Sequence, residues 1–177
     1  VQVIAKKRDG QMRAALRSVD TRHEAVGSNE LQEALEHLRW SPDDIDSKIP
    51  PAKAYAGAWH LVIAVAEKST LNDLDYDFDE LKAMMQRLGL TTLQLIWRED
   101  ETSFHSRNPF PVGGIFEDPA TGAAAAALGG YLRDAGLVQT PFSFTVLQGE
   151  AMGSPSLIEV EVPKNGGIIV SGGARDI

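Results

Sequence analysis

The chain contains no cysteine, which excludes disulfide stapling and thiolate catalysis and makes the cytosol the expected, cytoplasmic location. Positive charge is scarce: 17 lysines and arginines stand against 25 aspartates and glutamates, for a net charge of -8. No basic stripe exists to displace counterions from a phosphate backbone, so no nucleic-acid partner is expected. No apolar run reaches the ~20 residues of a membrane-spanning helix, and the N-terminus lacks the blocks of a signal peptide, so no membrane partner is expected. The 4 histidines never fall into a His-Glu-x-x-His spacing, and no metal site is expected. An initiator methionine is also missing. The chain opens on the strand-like Val1-Gln2-Val3-Ile4-Ala5, a start expected from processing, proteolysis or omitted upstream sequence.

What is present is enough for one domain: 177 residues bury roughly 70% of their extended-chain surface. The chain is organised around Glu117-Asp118-Pro119-Ala120-Thr121-Gly122, which runs into Ala123 to Ala127 and Leu128-Gly129-Gly130-Tyr131-Leu132. An acidic loop ending at strong helix formers predicts a helix from about Thr121 to Ala135, closed by Gly136. With no charge between Asp118 and Arg133, this helix is apolar all round and is expected to lie inside a wrapping of strands. Its first turn offers unpaired N–H groups and the positive end of the helix dipole beside Asp118. That pairs an anion cradle with an acid or base.

In chain order, Val1 to Lys7 and Met12 to Val19 read as strands joined by the Arg8-Asp9-Gly10 turn. Ser28 caps an amphipathic helix carrying Leu31, Ala34, Leu35 and Leu38 on one face. Ser41-Pro42-Asp43-Asp44 turns the chain, Leu61 to Val65 is a buried strand, and Ser69 and Thr70 cap a short helical turn. A helix over Phe78 to Leu88 turns Leu81, Met84, Met85 and Leu88 inward and ends at Gly89. Thr91 to Trp97, Thr102 to Asn108, Phe142 to Leu147, Leu157 to Val162 and Gly167 to Val170 supply further extended segments. Helices and strands alternate without a regular βαβ beat, which favours an α+β barrel or roll over a doubly wound sheet.

Three motifs in this order carry a resemblance: Phe104-His105-Ser106-Arg107-Asn108-Pro109-Phe110, Gly114-Ile115-Phe116-Glu117-Asp118-Pro119-Ala120-Thr121-Gly122, and Gln148-Gly149-Glu150-Ala151-Met152-Gly153-Ser154-Pro155-Ser156. Together they resemble the PhzF-like family of phenazine-biosynthesis proteins. The resemblance implies a diaminopimelate-epimerase-like fold and a two-domain protein, of which residues 1–177 would be the C-terminal portion as a single domain. It implies that the N-terminal domain, bearing the catalytic glutamate, is absent, and that the final strand belongs with that domain. It further implies isomerisation of a small acidic metabolite such as trans-2,3-dihydro-3-hydroxyanthranilate, without metal or organic cofactor, in a homodimer. The alternative is a noncatalytic module that binds a small anion at the helix N-terminus. Ala123 departs from the serine many members carry, and Ser154 from the usual arginine.

Asp118 is the expected catalytic residue, although an aspartate before Pro119 also suits a helix N-cap. Thr121, Gly122 and Ala123 are expected at the substrate carboxylate, with Gly122 allowing close backbone approach. Arg107 is expected either to meet that carboxylate or to pair with Glu117 or Asp118. Glu117 otherwise reads as a solvated or dipole-stabilised neighbour rather than a second catalyst. His105, Gln148 and Gly149 are expected to line the site, against the plainer readings of a strand histidine and an ordinary turn. His60, beside Trp59, reads as a satisfied structural histidine, and His23 and His37 as surface residues.

Overall fold

The computed structural model describes residues 2–8 and 11–173, with side chains over 14–172. Strands β1 (Gln2–Arg8) and β2 (Gln11–Arg17) form the expected antiparallel pair; the Asp9-Gly10 turn lies outside the described residues. β3 (Arg22–Ala25) and β4 (Ala52–Tyr55) pair antiparallel and were not foreseen. β3 is exposed at every position, so it carries no apolar alternation to read. Between them, helix α1 (Ser28–Leu38) buries Ala34, Leu35 and Leu38. Its cap is Gly27 rather than Ser28, because the Gly27 N–H donates to Glu30 Oε2 at 3.1 Å and Ser28 is already helical.

Two parallel crossovers follow. β5 (Trp59–Val65) and β6 (Thr92–Arg98) pair in parallel across α2 (Lys68–Asn72) and α3 (Phe78–Leu88). Ser69 and Thr70 lie within α2; its N-cap position is Glu67. β7 (Ser103–Phe110) and β9 (Phe142–Gln148) pair in parallel across β8 (Ile115–Asp118) and α4 (Gly122–Asp134). β10 (Ser156–Val162) and β11 (Ile169–Gly173) complete an 11-stranded sheet in the order β1-β2-β11-β10-β9-β7-β6-β5-β4-β3, with β8 attached to β7. The last strand therefore corrects the expectation drawn from the resemblance. β11 sits between β10 and β2 of this same sheet.

Strand alternation divides the core. Inward positions such as Val62, Ala64, Ile96, Phe104, Phe144, Val146, Val160 and Val162 pack on α4. Outward positions Leu61, Ile63, Val65, Leu93 and Leu95 pack under α1 and α3 with Leu81, Met84 and Met85. Every residue of α4 from Ala124 to Leu132 is buried, as a helix without a charged face requires. A Cβ added at Gly130 would stand 2.4 Å from Thr21 Cβ, and one at Gly129 would stand 3.2 Å from Ile168, Val160 and Val162. Two mid-helix glycines each cost about 1 kcal/mol of helix propensity, a cost offset by the close approach they allow. At the far end Gly136 takes φ 70°, and the Leu137 N–H closes on Leu132 O at 2.9 Å.

Candidate active site

Asp118 ends β8 opposite Asn108, three residues before the N-cap position of α4 at Thr121. The Thr121 hydroxyl donates to Asp118 Oδ2 at 2.7 Å instead of capping the helix. Gln148, wholly buried at the end of β9, takes over the capping. Its Oε1 accepts from the Thr121 N–H at 3.1 Å, while its Nε2 donates to Asp118 O at 2.6 Å and Thr121 Oγ1 at 2.9 Å. One of the four orphan N–H groups of the helix is thus used. Those of Gly122, Ala123 and Ala124 have no partner outside the helix among the described residues. Ala123 is exposed and Gly122 half-buried. The result is three converging N–H donors at the positive end of a 13-residue helix, with a half-buried carboxylate beside them. Gly149, at φ 81°, presses its backbone on this loop: an added Cβ would lie 2.8 Å from Pro119 O and 2.3 Å from Ser154 O.

The structure thus groups Asp118, Thr121, Gly122, Ala123, Gln148 and Gly149. It separates them from Arg107 and His105. Both occupy outward positions of β7, on the opposite face from Ser106 and Asn108. Of the two readings for Arg107, the pairing is the one observed: its Nε and Nη2 donate to Glu117 Oε2 and Oε1 at 3.0 and 2.6 Å. Its Nη1 donates to Leu71 O and Asn72 O at the end of α2. Glu117 is 5% exposed, which corrects its reading as a solvated residue. His105 stands between Glu150 Oε2, 2.8 Å from Nδ1, and Glu99 Oε2, 3.2 Å from Nε2, with Trp97 against its ring. Tyr76 stacks on Phe116 and donates to Phe116 O, pinning β8 from outside. Burial and the Glu117 charge both raise the Tyr76 pKa above its ordinary value.

The whole of this arrangement falls within the residues, 1–174, that match the model of the phenazine biosynthesis-like (PhzC-PhzF) proteins. The chain belongs to that family. An isomerase of Deinococcus radiodurans, described as uncharacterized, is 32% identical over 145 residues, covering 80% of this chain and 47% of its own. Among solved structures, the Bacillus anthracis phenazine biosynthesis protein of the PhzF family superposes with a TM-score of 0.77 at 19% identity, over 96% of this chain and 60% of that one. A predicted epimerase from Pseudomonas aeruginosa gives 0.77 at 24% identity, over 94% and 57%. The fold is the diaminopimelate-epimerase-like one that the resemblance implies. The chain spans about half the length of the curated relatives it matches.

Sequence reasoning missed a polar layer next to this site. On the inward face, Thr92 and Gln94 of β6 and Ser106 and Asn108 of β7 are all buried and bonded to one another. On β6 the i, i+2 spacing of Thr92 and Gln94 among leucines was the available signal. His60 joins the layer through Nδ1, 2.8 Å from Thr92 Oγ1, but its Nε2 has no partner. The satisfied histidine of the sequence reading is half satisfied. Burial lowers its pKa from 6.5 to about 4, so the ring is neutral near pH 7. Among the described residues no helix is long and apolar enough to cross a membrane, and no group of three His, Asp or Glu side chains is placed to hold a metal.

Proposed function

We propose that this chain supplies the anion-binding half of a cofactor-independent isomerase that moves a proton on a small carboxylate metabolite. The observation that carries this reading is the open head of α4, where the Gly122, Ala123 and Ala124 N–H groups stand beside Asp118. Those N–H groups neutralise the substrate carboxylate and stabilise charge that develops next to it during proton transfer. Asp118, oriented by the Thr121 hydroxyl and held through its backbone by Gln148, bonds the substrate or exchanges its proton. The second acid–base group comes from a companion N-terminal half or a second copy of the chain, in a cytoplasmic homodimer. Arg107, His105, Gln148 and Gly149 then act mainly as framework. Ala123 removes a hydroxyl from the cradle and favours a substrate other than the phenazine intermediate, trans-2,3-dihydro-3-hydroxyanthranilate.

The test is deuterium wash-in. The full protein is incubated in D2O with a panel of small carboxylates, and exchange at carbon is followed by NMR. Asp118→Asn keeps an oxygen for the Thr121 hydroxyl and should leave the fold intact, while exchange falls by about 100-fold or more. Undiminished exchange in that variant removes Asp118 from the mechanism. Carboxylate binding without exchange in the wild type favours the noncatalytic anion-binding module instead.

A further inference from the structure

Four hydrogen bonds join Asp118, Thr121 and Gln148, and they can be made in one sense only. The Thr121 backbone N–H can only donate, so the Gln148 atom facing it at 3.1 Å is Oε1. The Asp118 carbonyl can only accept, so the Gln148 atom facing it at 2.6 Å is Nε2. Either contact alone fixes the amide, and the two agree. The second Nε2 hydrogen goes to Thr121 Oγ1 at 2.9 Å, which makes that oxygen an acceptor. The hydrogen of the Thr121 hydroxyl then has one acceptor in reach among the described residues, Asp118 Oδ2 at 2.7 Å. Direction therefore runs from Gln148 through Thr121 to Asp118.

This makes the two carboxyl oxygens of Asp118 unequal. Oδ2 is held by the Thr121 hydroxyl. Oδ1 has no partner among the described residues, and it is not sealed inside the protein: the only buried side-chain nitrogen or oxygen left without a partner there is His60 Nε2. A proton placed on Oδ2 would point at Thr121 Oγ1. Thr121 would then accept from both sides, and the hydroxyl hydrogen of this buried residue would lose its acceptor. A buried donor without an acceptor is costly. Gln148 cannot turn to relieve the conflict, because the turned amide would set N–H against the Thr121 N–H and oxygen against the Asp118 carbonyl. A proton on Oδ1 leaves all four bonds intact.

From this geometry we infer that Gln148 and Thr121 are positioning residues that reserve Oδ2 of Asp118 as an acceptor, so that Asp118 takes up a proton on Oδ1. In the reaction proposed above, a C–H bond of the carboxylate substrate breaks, its electron pair stays on the substrate, and the proton joins Oδ1; the reverse transfer restores the Asp118 carboxylate. That use of the proton rests on the isomerase reading, whereas the direction of the four bonds does not.

Neutron diffraction from deuterium-exchanged crystals of the full chain, at neutral pH and at a pH acidic enough to protonate Asp118, tests the inference directly. The expected result is a deuteron on Thr121 Oγ1 aimed at Asp118 Oδ2 at both pH values, and a further deuteron on Oδ1 at the acidic one. A Thr121 deuteron aimed elsewhere, or an acidic deuteron on Oδ2, overturns the inference. Kinetics supply the second arm, with the member of the carboxylate panel that exchanges deuterium fastest in the wild type as the probe. Thr121→Val keeps the shape and loses the hydroxyl, and should lower the exchange rate at saturation about tenfold while the half-saturating concentration stays within about threefold. Thr121→Ser restores the hydroxyl and should exchange within about threefold of the wild type. Undiminished exchange in Thr121→Val, equal losses in both variants, or a loss confined to half-saturation overturns the positioning role. If no carboxylate exchanges in the wild type, the isomerase reading fails and the deuteron positions still judge the bonds; they also decide where a variant fails to fold.

Discussion

The two crossovers of this sheet solve the same connection problem with opposite materials. Across the outer face, β5 returns to β6 through α2 and α3, and α3 buries only Leu81, Met84 and Met85 while the rest of its surface meets water or its neighbours. Across the inner face, β7 returns to β9 through α4, and strands meet that helix on every side. A helix touching one layer needs a stripe of large side chains; one encircled by a sheet has no room for them and is built from alanine and glycine. The contrast extends to polar groups. The outer face carries charged partners, Arg107 with Glu117 and His105 with two glutamates. The inner face carries neutral amides, hydroxyls and the neutral His60. Among the described residues the strands of the enclosed face bring no formal charge to the buried core until the helix head, where Asp118 and the open N–H groups stand. The proposed site lies where the enclosed helix reaches the surface.

That contrast can be broken from either side. The largest expected effect is Leu81→Ala on α3, where a fully buried side chain leaves a cavity costing about 3 to 5 kcal/mol. Leu81→Met, which keeps volume, should cost less than about 1.5 kcal/mol. Urea-denaturation midpoints measure both. On α4 the sensitivity should invert. Ala126→Leu adds volume at a fully buried position and should cost about 2 to 3 kcal/mol by the same measurement. Tolerance of that leucine would mean the sheet does not grip the helix.

His60 sharpens the difference in charge. His60 has a folded-state pKa of about 4 against 6.5 when unfolded, so between those values the unfolded chain holds the extra proton. Stability therefore falls as pH is lowered from about 6.5 to about 4, by up to about 1.4 kcal/mol per pH unit. The stability difference between wild type and His60→Asn, read from urea curves at successive pH values, should shrink over that window and stay flat above it. A flat difference throughout would mean that His60 is not buried as a neutral ring. The smallest effect is Gly129→Ala. Its new Cβ meets three branched side chains at 3.2 Å, so the gain in helix propensity is cancelled, leaving a net loss below about 1 kcal/mol. An equivalent glycine on a solvated helix face would gain stability.

The boundaries of α3, α4 and most strands were legible because local signals coincide there with burial. Asp77 caps α3 and Gly89 closes it, while apolar runs fall on β5, β6, β9 and β10. β3 was invisible because all four of its residues are exposed; only pairing with β4 makes it a strand. Asp118, Thr121, Gly122 and Gln148 were named together from motifs, and they are neighbours. Arg107 and His105 stand close to Asp118 in sequence but face away from it, because successive strand residues point to opposite faces and no motif states which face is inward. Gln148 was expected to meet a ligand, whereas its three bonds go to the acidic loop.

By itself the sequence determined that a chargeless run of alanines and glycines follows an acidic turn, and such a helix has to be enclosed because it has no face for water. It also determined the acid beside the helix head, since both lie within one short stretch of chain. Only the tertiary structure decided which buried polar groups find one another. The bonds of His60, Thr92, Asn108 and Gln148 depend on strand register and on the order in which strands close around the helix, and both are set by contacts far apart in sequence.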